Sequence, residues 1–288
     1  MNPIDATLVH LLQKFVQRSW VADTTIVFVG NSLLLRGSAF AALLWWLWWR
    51  YESERDRAIA AFMSSILAVI VARIIASLFA FRVRPLFDAA LQFRAPFEGA
   101  HVYEGTDLIG WSSFPSDHAV LFVGLAAGVF FISRRLGMLS GLYAVMVVCL
   151  PRVYMGVHYP TDILAGGTIG IVLCCALQSA PLRRALARPI VRWSEKCPAG
   201  FYALAFLATS QMAGLFWELH TVARKLERGF RFALSSADRE TIVLLSAGLL
   251  LSASWAIFRL ARSGRGQADE LHPYRPSYRG AAVTTWRK

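Results

Sequence analysis

Long uncharged stretches alternate with short charged segments along most of this 288-residue chain. Seven of these stretches contain roughly 15 to 25 residues, and about 20 residues of helix cross the apolar core of a bilayer. None of them has the period-two alternation of a membrane barrel strand. The pattern predicts an all-α fold, a polytopic transmembrane helical bundle with about seven hydrophobic spans. These spans are predicted at residues 26–49, 57–81, 118–133, 138–154, 162–177, 199–217 and 241–260.

The segment before the first span has a different pattern. Between residues 5 and 20, Leu8, Leu12 and Phe15 recur at helical spacing, with Lys14 on the opposite side. This pattern predicts an N-terminal interfacial amphipathic helix that is too polar to cross the membrane. The predicted organisation has four parts, which are this helix within residues 1–25, a transmembrane region at 26–180, two additional spans with basic connecting segments at 181–262, and a basic cytoplasmic tail at 263–288.

Composition and charge agree with a membrane protein. Hydrophobic residues make up 56% of the chain and charged residues 17%, which disfavours an ordinary soluble domain. The net charge of +12 is explained by basic cytoplasmic loops, so no nucleic acid partner is predicted. If the long connection at 82–116 lies outside, 17 Lys and Arg residues lie inside and 11 outside. This bias predicts a cytoplasmic carboxyl terminus.

Three polar clusters interrupt the apolar pattern, and the predicted topology brings them to the outer ends of neighbouring spans. They are RVRPLFD, which contains Arg84, FPSDH, which contains His118, and PRVYMGVHYPTD, which contains His158. Pro85 is predicted to end the second span with Arg84 in its last turn. Ser116 is predicted to cap the third span.

The residue types in these clusters suit a phosphate group. Arg84 and Arg152 carry guanidinium groups that match phosphate oxygens and keep their charge. The helix beginning at Ser116 presents free N–H groups and the positive end of its dipole. The clusters therefore predict a phosphate-binding site.

Two histidines add chemistry to this binding. Between His118 and His158, one neutral imidazole can attack phosphorus while the other, protonated, donates to the departing oxygen. Asp162 lies four residues after His158, and a carboxylate at this spacing can hold an attacking ring in the required tautomer. This chemistry requires no metal, and we predict no cofactor. The acidic residues and histidine of the long connection (Glu98, His101, Glu104 and Asp107) are too irregularly spaced to favour a metal site.

The three clusters resemble the motifs of the type 2 phosphatidic acid phosphatase superfamily, the integral-membrane lipid phosphatases related to vanadium haloperoxidases. Its pattern is Lys, six residues and Arg-Pro, then Pro-Ser-Gly-His, then Ser-Arg, five residues, His, three residues and Asp. The matching residues, in the same order and spacing over about residues 57–178, are Arg84-Pro85, Pro115-Ser116-x-His118 and Arg152-x5-His158-x3-Asp162.

The resemblance implies a role for each matching residue. His158 would become a phosphohistidine that water then hydrolyses, Asp162 would orient it, and His118 would protonate the leaving group. The residues implied to bind the phosphoryl oxygens are Arg84, Arg152 and Ser116. Residues 26–180 would then form the catalytic region of an enzyme of the bacterial inner membrane, with its active site facing the periplasm or outside.

One departure from the family pattern concerns the motif lysine, whose position is occupied by Ser77. If the second helix continues to Arg84, Arg73 lies on nearly the same face, three turns earlier. Arg73 is therefore favoured as the replacement phosphate-binding residue. Arg82 is the competing candidate if the helix loosens before Pro85.

Two further departures affect the phosphate site. Asp117 replaces the motif glycine, and its carboxylate would repel phosphate unless it points away, caps the helix or pairs with Arg82. This replacement affects substrate preference more than reaction class. Pro151 replaces the motif serine and removes a hydroxyl and an N–H from the site.

Several functions remain open at this stage. The resemblance makes membrane lipids the substrates, with undecaprenyl pyrophosphate, hydrolysed to the monophosphate, as the leading one. The alternatives are hydrolysis of, or phosphoryl transfer from, phosphatidylglycerol phosphate, phosphatidic acid or lipid A. A lipid transporter and a catalytically degenerate phosphate-lipid-binding subunit are alternatives from other classes, motivated by Arg73, Ser77 and Asp117. The sequence leaves the oligomeric state undetermined.

Overall fold

The computed structural model describes residues 3–97 and 110–215, and every regular element within these ranges is helical. The α-helices are α1 (Pro3–Gln13), α2 (Trp20–Asn31), α3 (Ala39–Arg50), α4 (Arg55–Leu78), α5 (Asp117–Ile132), α6 (Arg134–Tyr143), α7 (Leu150–Tyr154), α8 (Pro160–Gln178), α9 (Ala180–Leu182), α10 (Arg188–Lys196) and α11 (Pro198–Ala213). The π-helical segments are Leu34–Ser38, Ala144–Cys149 and Arg183–Ala187. The short 3-10 turns are Glu52–Glu54, Pro85–Phe87 and Ala89–Leu91.

The described residues contain three helical stretches that are long and apolar enough to cross a membrane. They are Glu52–Leu78, Arg134–Tyr154 and Pro160–Gln178, which confirms the predicted second, fourth and fifth spans. The helices Trp20–Asn31 and Leu34–Arg50 make a fourth span if the pair, bent by 60°, is counted as one. Helix α5 is apolar but shorter, with 16 residues.

The remaining spans of the predicted seven are described in part or lie outside the described residues. Helix α11 covers most of the sixth window, which was predicted to continue to Trp217. The seventh window at 241–260, the amphipathic stretch before it and the tail at 263–288 lie outside the described residues. So do the four candidate metal ligands between residues 98 and 107.

The prediction for the amino-terminal segment was wrong in its length. Helix α1 ends at Gln13, and α2 begins at Trp20 after its cap Ser19. The left-handed backbone of Gln17, with φ of 61°, interrupts the predicted continuous helix. One side of α1 packs into the protein through buried Asp5 and Val9, while Leu8 and Leu11 stay exposed. The helix is therefore partly a packing element of the bundle.

Helix α5 lies at the centre of the bundle, and its fully buried residues include Val120, Leu121 and Phe122. It packs closely against α8 because glycines face each other at the crossing. A Cβ atom on Gly170 would lie 2.3 Å from the Val120 carbonyl oxygen. Near the start of both helices, a Cβ on Gly166 would lie 2.6 Å from the Ser116 carbonyl oxygen. This close approach brings the first turns of α5 and α8 together at one end of the bundle.

We expect Gly170→Ala to lower the free energy of unfolding by about 1–3 kcal/mol, because the added methyl group overpacks the α5–α8 crossing. The measurement is the thermal unfolding midpoint of the purified protein in detergent. Gly141→Ala is the matched control, since a Cβ on Gly141 has nothing within 4 Å. Alanine also favours helix over glycine there. Equal midpoints for the two variants would contradict the proposed role of the glycine contact.

The end of the second span also differs from the prediction. Helix α4 ends at Leu78, and Arg84 is extended, with φ of −73° and ψ of 149°, instead of lying in the last helical turn. The main chain before Arg84 pairs with another segment, because the Ser113 N–H donates to the Arg82 carbonyl over 2.9 Å. The Arg82 N–H in turn donates to the Ser112 hydroxyl over 3.2 Å. These long-range bonds replace the helical bonds that the sequence pattern suggested.

Candidate active site

Two imidazoles meet at the end of the bundle where α5 and α8 begin. His118 lies on the first turn of α5, and His158 lies in the turn between α7 and α8. Their ring centroids are 6.5 Å apart, with an angle of 63° between the ring planes. One phosphoryl group between the rings can contact both of them, as a nucleophile and an acid acting on the same phosphorus require.

The His158 ring is oriented by a main-chain carbonyl. Its Nδ1 lies 2.8 Å from the Ser113 carbonyl oxygen, which can only accept, so Nδ1 carries the proton and Nε2 keeps its lone pair. The nearest oxygen of Asp162 is 3.7 Å from Nδ1. Burial lowers the pKa of His158 below its ordinary value, against the opposing effect of Asp162. The ring is therefore neutral at pH 7, the form that can attack.

Asp162 is fully buried at the third position of α8 and is held by two strong contacts. Its Oδ2 accepts the Tyr159 N–H over 2.8 Å, and its Oδ1 accepts from Arg82 Nη1 over 2.5 Å. The Arg82 guanidinium also lies over the Tyr159 ring, 4.1 Å from its centroid. Because its oxygens are engaged in this way, Asp162 fixes the start of α8 beside His158.

A residue of the amino-terminal helix completes this network. Asp5, which is fully buried, accepts from Arg82 Nη2 over 2.6 Å. It also accepts from the main-chain N–H of Thr161 over 3.0 Å and from the Thr161 hydroxyl over 2.7 Å. Arg82 thus bridges Asp5 and Asp162. Sequence reasoning missed Asp5, since an acidic residue in the first turn of an amphipathic helix is unremarkable.

Arg73 and Asp117 form an ion pair. Arg73 Nη2 lies 2.8 Å from Asp117 Oδ1 and 3.1 Å from the Pro115 carbonyl oxygen. The Asp117 contact is close in distance but lacks the alignment of a hydrogen bond. Of the three alternatives for Asp117, the pairing with Arg82 is not formed, because Arg82 is engaged by Asp5 and Asp162. The hydroxyl of Ser77 donates to the Ile74 carbonyl of its own helix.

Arg84 and Arg152 are both buried against the turn that carries His158. Arg84 Nη1 donates to the Val157 carbonyl over 2.9 Å, and the Arg152 carbonyl accepts the main-chain N–H of Val157 over 2.9 Å. Arg152 Nη2 also donates to the Gly30 carbonyl over 2.7 Å. Both guanidinium groups are close enough to act electrostatically on the His118 ring. The predicted phosphate-binding arginines are thus placed beside the two imidazoles.

Ser116 occupies the cap position of α5, as predicted, but its side chain does not make the expected capping bond. Its N–H donates to the Asp162 carbonyl over 3.2 Å. The buried hydroxyls of Ser113 and Ser116 have no hydrogen-bond partner among residues 3–97 and 110–215. A buried hydroxyl without a partner is costly, and an anionic oxygen would satisfy it.

Arg36 is a second site residue that sequence reasoning missed. It lies in the π-helical segment after the bend of the first span, where the sequence showed only an interruption of the apolar window. Its Nη1 is 2.7 Å from Nε2 of His118. The sequence did carry a signal for Arg36. A charged side chain inside an apolar membrane window is energetically costly, which suggests a functional role. Across the described part of the chain, no group of three or more metal-ligating side chains is present.

This end of the bundle gathers two imidazoles, several guanidinium groups and the amino termini of two helices, an arrangement typical of a membrane protein that acts on phosphate groups. The family model of the PAP2 superfamily matches residues 57–185. The matched segment contains all three motifs, in agreement with the resemblance that they carry.

Two individual proteins are similar to parts of the chain. The bacitracin transport permease protein BcrC of Bacillus licheniformis is 38% identical over 61 residues, which are 21% of this chain and 30% of that protein. The chain thus spans less than a third of the length of this curated relative. A crystal structure of a transmembrane PAP2-type phosphatidylglycerolphosphate phosphatase from Bacillus subtilis is similar with 19% sequence identity and a TM-score of 0.37, covering 60% of this chain and 82% of that one.

Proposed function

We propose that the protein is a membrane-embedded lipid phosphatase that hydrolyses a polyprenyl diphosphate, undecaprenyl pyrophosphate, to the monophosphate. The observation that carries this proposal is the pair of imidazoles 6.5 Å apart, with Arg84 and Arg152 buried beside them. A diphosphate carries more negative charge than a monoester, which suits a site with several guanidinium groups.

The reaction proceeds in two steps. Nε2 of His158 attacks the terminal phosphorus, the bridging P–O bond breaks, and its electron pair goes to the lipid monophosphate, which takes a proton from His118. Water then attacks the phosphohistidine, the P–N bond breaks, and His118 accepts the proton of that water. Arg84, Arg152 and the Ser116 hydroxyl stabilise the charge on the phosphoryl oxygens in both steps.

The surroundings of the site suit a lipid substrate. An apolar groove of about 760 Å³ lies between α4 and α11 and ends at Arg73 and Ser77. Its other lining residues include Ile66, Ile70 and Leu204. A hydrocarbon chain in this groove would have its phosphate at the polar end of the bundle. We propose that the active site opens at the outer interface, with the carboxyl terminus in the cytoplasm, as the distribution of Lys and Arg predicts.

The test is phosphate release from a panel of lipids by the purified protein in detergent with EDTA present. The panel contains undecaprenyl pyrophosphate, phosphatidylglycerol phosphate, phosphatidic acid and lipid A, and the background is measured with His158→Ala protein. We expect the highest kcat/KM with the diphosphate. A higher value with another lipid would overturn the substrate assignment, and release from none of the panel would overturn the phosphatase itself.

A further inference from the structure

The arginines of the site differ in what neutralises their charge. Arg73 is paired with Asp117 over 2.8 Å. Arg82 is paired with Asp5 over 2.6 Å and with Asp162 over 2.5 Å. Arg73, the favoured substitute for the motif lysine, and Arg82, the competing candidate, are therefore already engaged by carboxylates. A phosphate group would have to compete with these carboxylates to use either arginine.

Arg36 has a different set of partners. Its Nη2 donates to the Asn31 carbonyl over 3.2 Å, and its Nε approaches the Ser32 carbonyl at 3.4 Å. Among the described residues, its Nη1 also contacts Nε2 of His118. Within residues 3–97 and 110–215, its guanidinium forms no ion pair with a carboxylate. Its positive charge therefore faces the imidazole without a counter-charge from the described residues.

The contact with His118 defines what this charge can do. A guanidinium group only donates, so Nε2 of His118 must accept and the imidazole is neutral in this arrangement. A ring of this tautomer has no Nε2 proton to give. An anionic oxygen close to both groups would accept from Arg36 and from a protonated His118 together. Anion binding would then favour proton uptake by His118, which supplies the acid that the reaction needs.

The main chain around Arg36 is held from two sides. The Tyr143 hydroxyl donates to the Leu35 carbonyl. On the other side, Gly37 packs against α11 so closely that a Cβ atom would lie 2.2 Å from Cα of Ala213. The bend of the first span therefore directs Arg36 toward His118, and α11 helps to fix the segment that carries it. An arginine placed this way needs little ordering to bind an anion.

We infer that Arg36 is a phosphoryl-binding residue of this site. Its guanidinium, which the first span contributes, supplies the positive charge that a lysine in place of Ser77 would supply. The inference rests on the proposed function for its reaction, although anion binding by Arg36 can be measured without turnover. It assigns a substrate-binding role to a residue that lies outside the segment matched by the family model.

The experiment uses the full chain in detergent and orthovanadate as the probe, because vanadate offers phosphate-like oxygens without being hydrolysed. The vanadate dissociation constant is measured from the shift of the thermal unfolding midpoint for wild type, Arg36→Lys and Arg36→Gln. The kcat and KM for undecaprenyl pyrophosphate are measured on the same samples. Arg57→Gln is the matched control. Arg57 lies in the first turn of α4, at the end of that helix away from the active site, and donates to the Phe131 carbonyl over 3.0 Å.

We expect Arg36→Gln to raise the vanadate dissociation constant by about 10- to 100-fold, as for the loss of one charged hydrogen bond, and to lower kcat/KM comparably. Arg36→Lys should recover part of both values, and Arg57→Gln should match wild type. Unchanged vanadate affinity in Arg36→Gln overturns the inference, as does equal loss in the lysine and glutamine variants. The lysine variant keeps the positive charge. If the glutamine variant is unstable, the vanadate affinity of the lysine variant still distinguishes loss of the charge from loss of folding.

The two proposals fail in different ways. If vanadate binding depends on Arg36 while wild type hydrolyses none of the lipids, the inference stands and the phosphatase does not. If wild type hydrolyses lipid with a vanadate affinity that does not depend on Arg36, the phosphatase stands and the inference is overturned. Absence of vanadate binding by wild type overturns the inference directly.

Discussion

Replacing His158 by alanine is expected to lower kcat for phosphate release by at least about 10⁴-fold, because the variant lacks the nucleophile. The imidazole lies in a buried turn, oriented by the Ser113 carbonyl with its Nε2 lone pair available. Among the described residues, the other imidazole near this position is His118, which is engaged by Arg36. His118 cannot both activate an attacking water and protonate the leaving group in a single step, so direct attack by water does not replace the lost nucleophile.

The measurement compares steady-state phosphate release and covalent labelling of the protein by substrate labelled in its terminal phosphate. Wild type should carry acid-labile label, and His158→Ala none. His10→Ala is the control, since His10 is exposed on α1 and should behave as wild type. Residual activity within tenfold of wild type in His158→Ala would refute the nucleophile assignment.

Changing Asp5 to asparagine is expected to lower the free energy of unfolding by about 2–4 kcal/mol, because it removes one partner of a buried ion pair. Asp5 is fully buried and accepts from both Arg82 and Thr161. An amide in its place leaves Asp162 as the remaining carboxylate of this network beside Arg82 and weakens the attachment of α1 to α8. We also expect kcat/KM to fall about 10-fold, because Asp162 and the start of α8 shift relative to His158.

Thermal unfolding in detergent measures the first effect, and kinetics on the folded protein measure the second. Glu52→Gln is the matched control, because Glu52 pairs with Arg55 over 3.2 Å but its side chain is 73% exposed. An exposed pair of this kind contributes little to stability. If Asp5→Asn and Glu52→Gln unfold at the same midpoint, Asp5 does not hold the amino-terminal helix. A larger loss in Asp5→Asn than in the Asp5→Asn, Arg82→Gln double variant would show that the two side chains act together.

The sequence was most informative where a feature is set by local pattern. The presence of the spans Glu52–Leu78, Arg134–Tyr154 and Pro160–Gln178 was predictable because long apolar windows lie between charged segments. The meeting of His118 and His158 was predictable because the motifs lie at the same ends of neighbouring spans. Both conclusions follow from residue spacing and from the length of helix that a membrane requires.

The remaining features depend on contacts between distant residues. Arg36 and His118 are 82 positions apart, and Asp5 and Arg82 are 77 apart. A periodic pattern in one segment does not show which distant side chain it will meet, so these pairs could not be predicted. The end of α4 was predicted too late for the same reason, since main-chain bonds between residues 82 and 112–113 determine it.

The site thus draws on residues on both sides of the 57–185 segment for its assembly. Arg36 approaches from before it, supported by α11 from after it, and Asp5 comes from a helix close to the beginning of the chain. We therefore expect residues 57–185 alone to form an incomplete site. A protein made of residues 57–185 alone would keep both histidines, but it would lack Asp5 beside Arg82 and Arg36 beside His118. We expect such a protein to release no phosphate from lipid substrates.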